Sequence, residues 1–127
     1  MNSDELNKRI NQINIENFIW IIYIVIIFMS WYSNFLEKKY FIYNDLNSKE
    51  KYRKIIIGIF VVLVVIYFYS FKSSYNDLKN LNLCDSNKKK NLTFIAMIAS
   101  LLILISGILY LYIAISDEDI NVEIAFN

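Results

Sequence analysis

The chain has 127 residues, 57 % hydrophobic and 17 % aromatic, with thirteen Lys and Arg against twelve Asp and Glu, one cysteine, and neither histidine nor proline. One cysteine, Cys84, excludes an intrachain disulfide and sits in no redox or metal spacing. Without histidine the commonest general base and metal ligand is missing, and the formal net charge is +1.

Residues 3–17, "SDELNKRINQINIEN", set Leu6, Ile10 and Ile13 at helical spacing among polar residues, with Ile15 nearby. That pattern predicts an N-terminal amphipathic helix at headgroup level, running directly into the first apolar run. This run, the nineteen residues from Phe18 to Leu36, carries no charge. At 1.5 Å rise each they give about 28 Å of helix, close to the roughly 30 Å of hydrocarbon in a bilayer. A cleaved signal has a shorter apolar core followed by small residues, whereas this run leaves through Trp31, Tyr32, Asn34 and Phe35. It reads as a membrane span.

The first connection, "EKKYFIYNDLNSKEKYRK", holds a turn in "YNDLNS", and Asn47 with Glu50 three residues on resembles a capping box. The second helix is therefore expected to start about two turns ahead of its apolar run. Lys51, Arg53 and Lys54 then snorkel to phosphates, and Tyr52 occupies the lipid–water boundary. The second uncharged run covers Ile55 to Phe71, seventeen residues. Beyond it Phe71, Tyr75, Leu78 and Leu81 recur at steps of four, three and three, which predicts a second helix extended past the membrane. Asp85, Ser86 and Asn87 break that period, and Lys88 to Lys90 stand before the third run, Leu92 to Ile115, of twenty-four residues.

These runs, at about 18–36, 55–71 and 92–115, take 60 of the 127 residues, and the segments between them are too short and polar for a separate soluble core. The expected fold is all-α: a small polytopic membrane protein, residues 1–127 forming a single domain of three transmembrane helices. Net charge by segment is −1 for residues 1–17, +3 for 37–54, +3 for 72–91 and −4 for 116–127. The basic segments are short and border apolar runs, so membrane lipids, not nucleic acid, are the expected partners. Seven Lys and Arg fall on one side of a three-span chain and six on the other, almost no orienting bias. The third run alone, lysines before it and Asp117, Glu118 and Asp119 after it, favours a cytoplasmic N-terminus and Cys84 with an outer C-terminus.

No Asp, Glu, Lys, Arg or His lies inside the runs, which argues against proton relays and ion-coupled transport. Asn34 is the costliest polar group there and a candidate intramembrane contact. On the third run Ala96, Ser100, Ile103, Gly107 and Ala114 fall along one helical face, and small residues permit close backbone approach, so this face is a candidate helix-packing surface, within the chain or to another. Asp117 to Asp119 are consecutive and lack the ligand spacing of a calcium loop. The alternation of Ile120, Val122, Ile124 and Phe126 resembles a short strand or docking peptide. No catalytic residue, cofactor site or metal site is expected. The function expected is that of a non-catalytic accessory, assembly or immunity-type protein acting through packing on another membrane protein or on itself. The alternative is a homo-oligomeric pore or holin-like permeabiliser.

Overall fold

A computed structural model describes residues 2–116, which form three α-helices and, among these residues, no sheet: α1 Ser3–Tyr43, α2 Leu46–Lys79 and α3 Asn87–Ser116. All three are long and apolar enough to cross a membrane. The chain divides into two compact units, Met1–Ile55 and Ile56–Asn127, with the boundary inside α2. The acidic stretch from Asp117 and the alternation through Phe126 lie outside the described residues.

In the first unit, α1 starts at an Asn2 cap: the Glu5 N–H donates to Asn2 Oδ1 at 2.8 Å, and Asp4 and Glu5 place negative charge on the first turn, where the helix dipole favours it. The Asn-rich segment is thus helical from Ser3 and runs unbroken into the apolar stretch, which supplies the nucleus that a fifteen-residue polar peptide lacks. Leu6, Ile10, Ile13 and Ile15 remain 42–48 % exposed. Phe18, Trp20, Ile27, Phe28, Trp31 and Phe35 are each more than half exposed, a density of bare large side chains suited to lipid and not to water. With 41 residues α1 is about 60 Å long, roughly twice the hydrocarbon thickness.

The turn after α1 is tighter than the connection expected from sequence. Glu37, Lys38 and Lys39 continue the helix to Tyr43, and Asn44 closes it in the left-handed region at φ 53°, ψ 38°, which asparagine tolerates better than any residue but glycine. Asp45 then caps α2, two residues before the Asn47 cap expected. The N–H of Asn47 donates to Asp45 Oδ1 at 3.1 Å, the Ser48 hydroxyl donates to Oδ2 at 2.9 Å, and the Lys49 N–H reaches the Asp45 carbonyl at 3.2 Å. Lys39 stands 3.8 Å from the same carboxylate, and Lys49 lies over the Tyr40 ring at 5.3 Å. Glu50, free of a capping role, pairs with Lys54 one turn on at 3.6 Å. Tyr52 is 6 % exposed, one turn on from the buried Ser48 and on the same helix face.

In the second unit, α2 extends past Phe71 to Lys79, as its period predicts. The chain returns through residues 80–86. Asp85 organises this turn: its Oδ2 accepts the Asn82 N–H at 2.8 Å and its Oδ1 lies 3.2 Å from Lys89 Nζ. Ser86 caps α3 by accepting the Lys89 N–H at 3.1 Å, and Lys90 Nζ donates to the Leu83 carbonyl at 3.2 Å. Two of the three lysines in the first turn, where the helix dipole disfavours them, thereby find oxygen partners.

Both turn carboxylates are held below their ordinary pKa, Asp45 chiefly by the Ser48 hydroxyl and Asp85 chiefly by the Asn82 N–H, then by Lys89. A lowered folded-state pKa contributes stability in full above the unfolded value, about 3.9 for aspartate, and loses it only as pH falls through the lower folded value. Both turns are therefore expected to be indifferent to pH between about 5 and 8 and to loosen only below about pH 4. Amide exchange at Asn47 and Asn82, corrected for the intrinsic pH dependence, checks this; opening on going from pH 8 to 5 contradicts it.

Candidate functional site

The surface with the most specific chemistry is the seam joining α2 and α3 in the second unit. On α3 the least exposed positions are Thr93, Met97, Ser100, Leu104, Gly107, Leu111 and Ala114, at alternating steps of four and three, with Leu101 and Tyr110 beside them. On α2 the same rhythm runs through Phe60, Val64, Tyr67, Phe71, Ser74 and Leu78 and on to Leu81. A mean step of 3.5 residues keeps one edge of each helix facing its neighbour over many turns.

Three contacts fix the register. The hydroxyls of Ser74 and Ser100 lie 2.9 Å apart. Because the Ser100 hydroxyl donates to the Ala96 carbonyl at 2.8 Å, the proton shared between the serines comes from Ser74. Seven residues back on α2 is Tyr67, and seven on along α3 is Gly107. A Cβ on Gly107 would stand 2.9 Å from Tyr67 Cδ2 and 3.2 Å from Cε2, so the ring rests on the glycine's backbone. Another seven residues reach Phe60 and Ala114, 4 % and 2 % exposed, where the Phe60 ring stacks on Tyr110 at 5.9 Å between centroids. Equal steps in opposite directions make the pair antiparallel. The Tyr67 ring on α2 thus meets the glycine of α3, the close approach by which packing holds helices together where lipid is as apolar as protein.

Of the residues expected on the packing face, Ser100, Gly107 and Ala114 lie on this seam. Ala96 is exposed at one flank, its carbonyl receiving Ser100, and Ile103 is 50 % exposed while its neighbour Leu104 is 8 % exposed. Sequence reasoning passed over Met97, Leu104 and Leu111 because it sought small side chains. The signal that identifies them is the matching four-and-three rhythm on α2. Asn34 is exposed on α1, and no hydrogen bond to it is found among the described residues. The buried polar position is the adjacent Ser33, 1 % exposed, and the hydroxyls of Ser30 and Ser33 have no hydrogen-bond partner among the described residues. Cys84 is exposed in the turn before α3. Among the described residues no three His, Cys, Asp or Glu side chains gather as a metal site would require.

Compared with protein-family models, curated proteins and solved structures, the chain matches none. The functional reading therefore rests on its own geometry.

Proposed function

We propose that this multi-pass membrane protein works by helix packing and not by chemistry, as an accessory, assembly or immunity-type protein engaging another membrane protein or a second copy of itself. The observation that supports this is how Ser100 and Gly107 are used. A pore built through the small face of α3 needs those two positions turned toward other subunits. Here the Ser100 hydroxyl is bonded to Ser74 and the Gly107 surface lies under Tyr67, so both serve the chain's own hairpin. What the chain offers to others is apolar helix surface, together with the amphipathic start of α1. Purification in mild detergent is expected to bring down a stoichiometric membrane partner or a defined oligomer. A strictly monomeric protein, with nothing captured by crosslinking in native membranes, contradicts the proposal. Conductance in reconstituted bilayers that Ser100→Leu abolishes favours the pore instead.

The same reading orients the chain with its N-terminus and Cys84 in the cytoplasm and the tail from Asp117 outside, since Lys88 to Lys90 resist translocation and carboxylates resist it little. A membrane-impermeant thiol reagent on intact cells is expected to spare Cys84 and to label a cysteine placed at Ser116, with both labelled after lysis. Labelling of Cys84 alone in intact cells reverses the orientation.

A further inference from the structure

Beyond the Ser74–Ser100 pair the hairpin opens into a cleft of about 430 Å³, lined by the polar Asp77, Asn80, Lys89 and Thr93 and the apolar Leu81 and Leu92. Its volume falls in the range of small-molecule sites, roughly 300–1,000 Å³. Asp77 stands six residues past Phe71, about 9 Å along the helix, and Lys89 three residues before Leu92, about 4.5 Å. The charged lining therefore lies outside both uncharged runs, at the membrane boundary.

The lining is bipolar. The Asp77 carboxylate has neither an ion pair nor a hydrogen bond among the described residues, and nothing else in the cleft is acidic. Lys89 supplies the cation; its ammonium leans on Asp85 at 3.2 Å but remains 60 % exposed, with donors to spare. Asn80 offers an amide that both donates and accepts. The Thr93 hydroxyl donates to the Lys89 carbonyl at 2.8 Å, which leaves its oxygen as an acceptor. A ligand matching this set carries a primary ammonium and a phosphate a few bonds apart. Choline lacks the N–H groups that a carboxylate and an amide oxygen accept. A glycerol headgroup brings a phosphate with no cation to set against Asp77.

We propose that this cleft binds the phosphoethanolamine group of a membrane phospholipid, with the ammonium on Asp77 and Asn80 and the phosphate on Lys89, the acyl chains descending past Leu92 and Ala96. The site is separate from the seam and does not depend on the packing proposal, so failure of either leaves the other standing. Purified full-length protein, stripped of lipid, is titrated with phosphatidylethanolamine, phosphatidylcholine and phosphatidylglycerol of identical chains, and bound lipid is counted by native mass spectrometry. The charge-assisted hydrogen bond from ammonium to Asp77 is the contact both competitors lack, so ethanolamine lipid is expected to bind at least about tenfold more tightly than either. Asp77→Asn is expected to abolish that preference and Asp77→Glu to retain it, both at unchanged helicity, since Asp77 is exposed and makes no contact the fold needs. Soluble glycerophosphoethanolamine separates the sources. Displacement of the lipid shows that the headgroup alone is recognised; a retained ethanolamine preference without displacement shows that the leaflet lipid is required, and either supports the site. Equal retention of all three lipids, or a preference that survives Asp77→Asn, overturns it.

Discussion

Gly107→Leu is expected to separate α2 from α3. The first added carbon alone would lie 2.9 Å from Cδ2 of Tyr67 and 3.5 Å from Cγ2 of Val64, closer to the ring than carbons pack, and leucine brings three more behind it. One surplus methylene in a packed core typically costs about 1–3 kcal/mol, so four exceed what a single interface between two membrane helices can absorb. Gly107→Ala should be milder, because the Tyr67 ring can swing by a few tenths of an ångström. Gly58→Ala is the control, since a Cβ there meets nothing within 4 Å. Thermal unfolding in detergent, with proteolysis in the turn at residues 80–86 as a second readout, should rank the variants Gly58→Ala, Gly107→Ala, Gly107→Leu in order of increasing loss. A Gly107→Leu protein as stable as the parent would mean that Tyr67 does not sit on α3.

The second large effect is expected at Ile59, 1 % exposed and the largest fully buried side chain described. In a bilayer the transfer term for an apolar side chain nearly vanishes, because lipid tails replace protein at little difference in free energy. What remains of an Ile→Ala truncation is the cavity, on the order of 2 kcal/mol at the cost per volume found in soluble cores. Val65, six residues on, is 64 % exposed, so Val65→Ala removes methyl groups that touch only solvent or lipid and should change stability little. The gap between the two variants separates packing from bulk hydrophobicity. Equal losses at both sites would show that this helix is held by partitioning alone.

Much of this architecture is legible in the sequence, for a physical reason: spans are long runs, and a charge inside one is so costly that its absence over nineteen, seventeen and twenty-four residues is a strong signal. The extension of α2 to Lys79 is equally readable, since Phe71, Tyr75 and Leu78 keep the helical period past the last uncharged residue. The cap of α2 is not. Asn47 with Glu50 fits a capping pattern as well as Asp45 does, and only the reach of α1 to Tyr43 selects Asp45 as the first residue free to cap. The packing face is half legible: Ser100, Gly107 and Ala114 announce themselves by size, but Met97, Leu104 and Leu111 look like any other lipid-facing residues until the rhythm of α2 is laid against them. Ser33 is hidden for the opposite reason, since one hydroxyl in an apolar run does not reveal which way it points.

The central claim is that α2 and α3 close on each other within one chain, in the register set by Ser74 and Ser100, and paired cysteines at those two positions test it most directly. The two hydroxyls lie 2.9 Å apart, near enough for sulfur atoms in their place to form a disulfide of about 2.05 Å after a small adjustment. With Cys84→Ser removing the native thiol, Ser74→Cys/Ser100→Cys protein oxidised in its own membranes should give an intrachain disulfide that migrates as monomer and loses both free thiols. Ser74→Cys paired with Ile103→Cys, whose partner position is half exposed, should stay reduced. Crosslinked dimers as the main product, or two thiols that remain free and reactive after oxidation, would contradict the hairpin and return the small face of α3 to contacts between chains.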